Sequence, residues 1–301
     1  MSNDVGAELL ARVIAAPDDD EPRLAYARWL TEQGDPRGEL ITTQVRLASE
    51  RPNPQRRKEL EARAQELGQA LGKTLAAEVK EVADHWEIRR GFVDEIRADA
   101  AKLLKHWEPL FARVPIRRVT LGGVKAAHVK ELVASGILGR LVNLSLHGKL
   151  GAKGVRTLAE APALASIRKL NLAGCGLGDE GVTTLVASPH LACTQLTLRE
   201  NGISDEGAQA LADARALAGC RALFLARNEL GDDGVRALAG SPHLANLEQL
   251  GLGGNEGIGE EGIEALLAPG IFPRMRRLEL EMLEIEDPDA LRERWGKHVR
   301  F

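Results

Sequence analysis

The feature that most constrains this chain is a phrase of about 27 residues that returns from residue 141 onward. Each copy holds a Leu-x-Leu strand, a polar turn, an acidic-glycine helix start and a short helix of alanine and leucine. The first strand leucines follow one another at intervals of 26, 26, 27, 27 and 28 residues, at Leu144, Leu170, Leu196, Leu223, Leu250 and Leu278. A more degenerate copy, Val119-Thr120-Leu121, lies 25 residues earlier. Such self-similarity indicates stacked strand–helix units, none of which can bury its apolar face alone.

The residue types within each copy have physical reasons. Strand side chains alternate, so both leucines face the core and the residue between them faces outward. Three residues after the second leucine stands a short side chain that can satisfy backbone groups of the turn: Cys175, Asn201, Asn228 or Asn255. The next segment of each copy is expected to start a helix, with Gly or Ser as its cap. The two acids that follow would lie in the first turn, near the positive end of the helix dipole. These segments are 178–181, 204–207, 231–234 and 259–262. The glycine that follows the acids is predicted to let helix and strand backbones approach closely.

This phrase resembles that of the leucine-rich-repeat family, Leu-x-x-Leu-x-Leu-x-x-(Asn or Cys)-x-(Leu or Ile). With full helices and a period near 27, it is most similar to the ribonuclease-inhibitor and Ran-GTPase-activating subclass. The resemblance covers roughly residues 116–281. It implies an α/β fold, a right-handed solenoid with a parallel sheet on the concave side and helices on the convex side.

Residues 1–50 follow a different pattern, which predicts three helices. Leu9, Leu10, Val13 and Ile14 form the apolar stripe of the first helix; the second starts within 17–22 and ends at Gly34, and the third runs from Asp35-Pro36 through Leu47. The strings Ala16-Pro17-Asp18-Asp19-Asp20-Glu21-Pro22-Arg23-Leu24 and Gly34-Asp35-Pro36-Arg37-Gly38-Glu39 resemble the repeat-companion domain that precedes repeat arrays in myxobacterial and planctomycete proteins. That resemblance implies a small all-α N-terminal domain and a bacterial source, and it brings no established chemistry.

The predicted organisation has five segments. They are the helical companion domain at 1–50, a helical connector at 51–85, an N-terminal capping unit at 86–115, the repeats at 116–281 and a C-terminal cap at 282–301. Arg51-Pro52-Asn53-Pro54 marks the linker. The capping unit is expected to contain a strand over 92–96 and a helix around 103–111, and a helix over 290–296 is expected to cover the last repeat.

Two features of the N-terminal segment allow a functional and a structural interpretation. The acids Asp18 to Glu21 form a possible metal site, but helix capping before Pro22 explains them more simply. A second set of residues could form a docking surface. In the structural alternative, Trp29 belongs to the core and the charges form satisfied pairs. The set is Arg28, Trp29, Arg37 and Glu39.

Motifs of known catalytic and metal chemistry are absent from the sequence. The segment Gly68–Thr74 is one residue short of a phosphate-binding loop and follows a helix where such a loop needs a strand. His190 and His243 recur in the same Ser-Pro-His-Leu phrase, which indicates a structural role, and Cys193 and Cys220 occupy inward positions. We therefore expect no catalytic, cofactor-binding or metal-binding residues, no cofactor, and no enzyme activity.

Composition bounds the partners and the compartment. The formal net charge is −4, so no global basic surface for nucleic acid exists. Three widely spaced cysteines argue against a disulfide framework, and the sequence shows neither a signal peptide nor an apolar stretch near the roughly 20 residues that span a bilayer. We expect a cytoplasmic protein that binds another protein, and neither nucleic acid nor a membrane.

The outward strand positions and the turns after them are the expected binding surface. Phe224 is an aromatic residue at a position expected to face solvent, and small neighbours such as Ala226 and Gly251 leave room around it. It could anchor a partner, or it could merely cover the backbone of its neighbours. A ladder of cations ends against two acids, so the charge changes sign along the face. The candidate partner-binding residues are Lys169, Asn171, Thr197, Arg199, Phe224, Arg227, Gln249, Glu279 and Glu281.

The favoured function is a non-catalytic protein–protein interaction module or scaffold that binds its partner on the concave face. The alternative is a direct regulator, an inhibitor or activator, of an enzyme or small GTPase, by analogy with the subclass named above. An enzyme or a nucleic-acid reader is disfavoured, since the outward positions hold no run of aromatic residues for base stacking.

Overall fold

The computed structural model describes residues 2–49 and 53–301 and divides the chain into two compact units, 1–120 and 121–301. Each unit has its own core and its own arrangement of helices and strands. The finer division into five segments stays a prediction. No helix in the described part of the chain combines the length and apolar content that crossing a bilayer requires.

The first unit opens with the helices expected from the sequence: α1 Ser2–Ala15, α2 Asp20–Glu32, α3 Arg37–Ser49 and α4 Pro54–Val79. Asp19 is the N-cap of α2 and accepts a hydrogen bond from the Glu21 N–H at 2.9 Å. This confirms the capping role predicted for the acidic run. Arg51 and Pro52 of the predicted linker lie outside the described residues, while Asn53 caps α4 through the Arg56 N–H at 2.8 Å.

A β-hairpin follows that the sequence analysis missed. Strands β1 Ala83–Arg89 and β2 Phe92–Asp99 pair antiparallel, and Arg90 and Gly91 both have positive φ in the two-residue turn between them. Positive φ at both positions is typical of a type I′ turn, for which the Arg-Gly pair is a weaker signal than Asn-Gly. Helix α5 Ala100–Phe111 then begins at an Asp99 cap, as the pattern around 103–111 predicted.

Aromatic and arginine side chains close the core of this unit. Tyr26 stacks between Trp29 and Phe92, with ring centroids 5.8 and 6.0 Å apart. The Arg37 guanidinium lies 4.6 Å from the Phe92 centroid and pairs with Glu78 at 2.6 Å. Trp29 therefore packs against the core. Glu39 pairs with Arg63 at 2.7 Å, so the satisfied ion pairs of the structural interpretation are found for Arg37 and Glu39, whereas Arg28 is exposed and bonds the Leu24 carbonyl at 3.4 Å.

The division between the units falls within β3 Arg118–Lys125, and the second unit continues as strand–helix repeats. Its helices are α6 Ala126–Ser135, α7 Gly151–Ala159, α8 Gly178–Val186, α9 Asp205–Asp213, α10 Asp232–Gly240, α11 Glu260–Leu267 and α12 Pro288–Trp295. Its further strands are β4 Asn143–Lys149, β5 Lys169–Asn171, β6 Gln195–Thr197, β7 Ala222–Phe224, β8 Gln249–Gly251, β9 Arg277–Glu279 and β10 Val299–Arg300. From β4 to β10 each strand pairs parallel with the next.

The strand leucines form the core of this array. Leu144, Leu170, Leu196, Leu223, Leu250 and Leu278 are at most 1% exposed and lie in register across the sheet. Cys175, Cys193 and Cys220 are buried with them, as expected for small core residues. At the far end Trp295 is buried, and its indole N–H donates to the Leu266 carbonyl at 3.2 Å. The predicted α/β solenoid, with its parallel sheet on one side and helices on the other, is confirmed.

Candidate functional site

The concave face is the sheet face opposite the strand leucines. Its central row runs in register through Ser145, Asn171, Thr197, Phe224, Gly251 and Glu279, and a neighbouring row runs through Asn143, Lys169, Gln195, Ala222, Gln249 and Arg277. The backbone ladder continues past the strand ends, for example from the Gly174 N–H to the Arg199 carbonyl at 2.9 Å and from the Arg227 N–H to the Gly253 carbonyl at 2.8 Å. Every candidate residue therefore has a defined place on this face or at its edge.

A ladder of buried asparagines holds the turns that leave the strands. The Asn228 side-chain oxygen accepts from the backbone N–H groups of Asn201 (2.8 Å) and Ile203 (3.2 Å) in the preceding repeat. Its amide nitrogen donates to the carbonyls of Leu198 and Leu225. Asn201 and Asn255 repeat the arrangement. The predicted role of these side chains in satisfying turn backbone groups is confirmed.

A second ladder, formed by aspartates, was not predicted. Asp205 Oδ1 accepts from the backbone N–H groups of Gly231 (2.7 Å) and Gly234 (2.9 Å), at the helix start of the next repeat. Asp179 and Asp232 do the same for the helix starts that follow them. Each of these acids therefore caps the next helix in the array, in addition to standing in the first turn of its own.

The aspartate ladder explains the glycine that follows the acids. A Cβ atom at Gly234 would lie 2.4 Å from Asp205 Oδ1, and one at Gly207 would lie 2.3 Å from Asp179 Oδ1. The prediction that this glycine lets helix and strand approach was wrong at Gly207, Gly234 and Gly262, where the nearest group is a carboxylate of the preceding repeat, while the nearest atom at Gly181 is Leu177 Cβ at 2.9 Å. The predicted cap at Gly178 was also wrong: α8 begins at Gly178, and Ala152 stands where a capping aspartate would be.

Three side chains at the middle of the concave face form one preorganised cluster, which we call the central cluster: Arg199, Phe224 and Glu279. The Arg199 guanidinium lies 5.3 Å from the Phe224 centroid, which is a cation–π distance. It also pairs with Glu279 at 2.9 Å, across the two intervening strands β7 and β8. The ring and the ion pair therefore hold each other in place.

Gly251 gives the central cluster its room. A Cβ at this position would lie 3.0 Å from the Phe224 ring and 3.2 Å from a Glu279 carboxylate oxygen. Glu279 is only 6% exposed and also pairs with Arg277 at 2.5 Å. Because two partly exposed arginines share one buried carboxylate, Glu279 positions them and offers a partner little surface of its own.

The other candidate residues surround this cluster with different exposures. Thr197 is buried beside Phe224 in the central row, and Asn171 bonds its own turn at the Ala173 N–H (3.0 Å). Lys169 is exposed, and Gln249 and Glu281 are half-buried. The charge change expected along the face therefore includes a direct ion pair, Arg199 to Glu279, where the sequence suggested only separate charges.

A hollow of about 460 Å³ lies beside the central cluster, at the edge where the strands end, and Glu200 and Met282 of its lining were not among the predicted positions. Arg227 lines it and pairs with Glu200 at 3.2 Å. Met282 also lines it, with a positive φ of 63° and 63% exposure. The signal was an apolar residue at a turn position that holds Gly174, Glu200, Arg227 and Gly254 in the preceding repeats.

Neither a metal-binding cluster nor an activated thiol is found among the described residues. They contain no group of three or more His, Cys, Asp or Glu side chains placed to hold a metal ion. Burial raises the pKa of Cys175 and of Cys220 to about 11 and the pKa of Cys193 to about 12. Thiols in such surroundings stay protonated at neutral pH and are poor nucleophiles.

Comparison with known proteins shows that part of the repeats is similar to one family model. Residues 163–186, 194–212, 221–239 and 243–267 match the model described as "Leucine Rich repeat". Two solved structures are similar to part of the chain. The yeast Rad7 and Elc1 complex shows 14% identity, covers 68% of this chain and 67% of the matched chain, and has a TM-score of 0.38. An internalin, inlF, from Listeria monocytogenes strain 4b F2365 shows 16% identity, 69% and 67% coverage, and a TM-score of 0.36. No curated protein sequence matches the chain.

Proposed function

We propose that the leucine-rich repeats of this chain form a non-catalytic protein-interaction module that binds a partner protein on the concave face of the sheet. The observation that carries the proposal is the central cluster of Arg199, Phe224 and Glu279. Arginine and aromatic side chains dominate the binding energy of protein interfaces when they are held in place. Here the ring and the guanidinium are ordered before any partner arrives, so binding loses less side-chain entropy.

Each member of the cluster has a separate part in this proposal. Arg199 keeps 43% of its side chain exposed and offers its remaining N–H donors to the partner. Phe224 is half-buried and supplies apolar surface next to them. Glu279 positions Arg199 from below. The flanking residues Lys169 and Gln249, with Arg227 and Glu281 at the edge, set the orientation of the partner by charge and hydrogen bonding.

The proposal includes finer statements about the whole chain. The module has no cofactor and binds neither nucleic acid nor a membrane, and residues 1–50 are a bacterial repeat-companion domain in a cytoplasmic protein. The satisfied charges around Arg37 and Glu39 support a structural role for these residues in the first unit. The buried, protonated thiols of the second unit support the expected reducing compartment. The close fit of period and helix length to the ribonuclease-inhibitor-like subclass belongs to the same proposal.

The test begins with a partner captured by the full chain from its native bacterium and measures affinity for variants of the concave face. We expect Phe224→Ala and Arg199→Glu each to weaken binding by about tenfold or more, which corresponds to about 1.4 kcal/mol. Arg156→Glu on helix α7 serves as the matched control, because Arg156 is exposed and pairs only with the exposed Glu180 among the ion pairs of the array. Unchanged affinity in both concave variants would remove the concave-face proposal.

A photo-crosslinking experiment locates the partner independently of affinity. A benzophenone side chain placed at the exposed Lys169 on the sheet should crosslink the partner. The same group at the exposed Thr183 on helix α8 should not. Crosslinks from Thr183 alone would place the interface on the helices. When the captured partner is an enzyme or GTPase, its turnover with and without the chain separates a scaffold from a regulator.

A further inference from the structure

A repeated backbone irregularity precedes each short strand of the array. The Arg168 carbonyl accepts from two consecutive N–H groups, Thr194 (2.8 Å) and Gln195 (3.1 Å). The same doubling occurs at the carbonyls of Val142, Thr194, Arg221 and Glu248. The last residue before each of these strands and the first residue of the strand therefore donate to one carbonyl, while the register between neighbouring strands is unchanged. The residue before each strand is exposed or half-buried, so its side chain is presented at the edge where the strands begin.

The residues at this edge are mostly cationic. In ladder order, the residues immediately before these strands are Arg168, Thr194, Arg221, Glu248 and Arg276, and Lys169 is the first residue of β5. Arg168 and Lys169 are exposed, and the side chains of Arg221 and Arg276 are 66% and 76% exposed. We call Arg168, Lys169, Arg221 and Arg276 the basic edge.

The basic edge is only weakly neutralised within the array. Glu248 is the one carboxylate in its ladder, and its oxygens lie 3.9 Å from both Arg221 and Arg276, beyond hydrogen-bond distance. Exposed acids such as Glu180, Glu206 and Asp233 lie at the other end of the strands, where the helices start, and Glu160 and Asp213 lie at the C-terminal ends of helices α7 and α9. In a chain of net charge −4, this edge is therefore a local concentration of positive charge.

The spacing of the arginines suits an extended acidic chain. Arg168, Arg221 and Arg276 precede β5, β7 and β9, so successive arginines are two strands apart. Adjacent strands lie about 4.8 Å apart. An extended peptide in the polyproline II conformation advances about 3.1 Å per residue with three residues per turn, so every third side chain of such a peptide crossing the strands would lie on one side and meet an arginine. Arginine also pairs with carboxylates through two parallel hydrogen bonds.

We propose that the basic edge binds an extended, acidic segment of the partner protein, continuing from the concave face on which the partner lies. The inference rests on the proposed function and names the chemistry of the partner. The composition of the edge favours a protein over nucleic acid, because its residues include no aromatic side chain on which bases could stack. Phe224, in the central row, already lies against the guanidinium of Arg199.

The test uses the full chain and defined probes. A fluorescent peptide of five Glu-Gly-Ser triplets should bind with an affinity that falls as salt rises, and the matching Gln-Gly-Ser peptide should not bind. The triple variant Arg168→Glu, Arg221→Glu, Arg276→Glu should lower the affinity for the acidic peptide by about tenfold or more. A control with the same change in charge reverses three exposed arginines on the helices, Arg156, Arg236 and Arg292, and should stay within about twofold.

Three outcomes would overturn the inference: no binding of the acidic peptide, an equal loss in the control triple, or tighter binding of a labelled oligouridine than of the peptide. The captured partner separates this failure from failure of the proposed function. If Phe224→Ala weakens partner binding and the edge triple does not, the concave-face module stands and the acidic segment is refuted. If neither change weakens it, both are refuted.

Discussion

The aspartate ladder predicts a specific coupling between Asp205 and Gly234. Asp205 Oδ1 accepts from the backbone N–H groups of Gly231 and Gly234 at 2.7 and 2.9 Å. Asp205→Ala leaves these helix-start donors to water, as the loss of an N-cap does, and should cost about 1–2 kcal/mol. Gly234→Ala places a methyl group 2.4 Å from the same oxygen and must displace it. The lost capping and the crowding outweigh the gain of about 1 kcal/mol in helix propensity, so the net cost should be about 1–3 kcal/mol.

The two changes should not add. Without the Asp205 carboxylate, the methyl at position 234 meets only Ala208 Cβ at 3.1 Å and the backbone of residue 205 at 3.3 Å, which shifts of a few tenths of an ångström relieve. The double variant should therefore be about as stable as Asp205→Ala alone. The coupling energy in the double-mutant cycle should be about 1–3 kcal/mol.

Urea unfolding followed by circular dichroism at unchanged m-value measures the four stabilities. Gly240→Ala is the matched control, because Gly240 ends the same helix α10 and has nothing within 4 Å of an added Cβ. That control should change stability by less than about 1 kcal/mol, in the stabilising direction. Additivity of Asp205→Ala and Gly234→Ala within about 0.5 kcal/mol would refute the argument that the glycine exists to admit the carboxylate.

Further predictions concern the core of the array. Asn228→Ala leaves two buried N–H groups and two carbonyls without their partner and should lower the free energy of unfolding in urea by about 3–5 kcal/mol. The control Asn246→Ala, at a half-buried position, loses one hydrogen bond and should cost about 1 kcal/mol. Equal effects of the two changes would refute the role proposed for the asparagine ladder. Trp295→Phe should lower the free energy of unfolding by about 1–2 kcal/mol, because it loses the hydrogen bond to the Leu266 carbonyl. Trp295→Ala should lower it by about 3–5 kcal/mol, because it also loses the buried packing. A negligible effect of Trp295→Ala would show that α12 does not cap the array. The pKa of each buried thiol, at Cys175, Cys193 and Cys220, is raised above its unfolded value near 9, so the contribution of these thiols to stability is complete below about pH 9 and is lost as pH rises toward 11 and 12. Replacing all three by alanine should therefore flatten the dependence of the unfolding free energy on pH between pH 9 and 11. An unchanged slope would contradict this prediction.

Much of the fold could be predicted from the sequence because its signals are local. Leucines at a strand spacing, such as Leu196 and Leu198, and a short polar side chain such as Asn201 three residues later depend only on the alternation of a strand and the turn after it. The same holds for the helix caps at Asp19 and Ser204, where a side chain bonds the backbone two residues on. The hairpin at Arg90-Gly91 escaped prediction since arginine is an unusual residue for positive φ.

The candidate site could be located but not resolved into roles. The alternation of the strand placed Arg199, Phe224 and Glu279 on one face, and that placement needed no coordinates. Arg199 and Glu279 are 80 residues apart in the chain, and their ion pair depends on the long reach of two side chains over Gly251. No periodicity contains that information. For the same reason the sequence could not show that Glu279 is buried or that Met282 stands exposed beside the hollow.

The repeat, its period, the inward leucines and the outward row could be predicted from the amino-acid sequence alone. These features follow from backbone geometry, which depends on near neighbours along the chain. The packing of the repeats in three dimensions was needed to show which outward charges neutralise one another, which carboxylate caps the next helix, and where weakly neutralised cations collect at the edge of the sheet. Those outcomes depend on distances between side chains of different repeats, and stacking sets such distances only when the whole array is assembled.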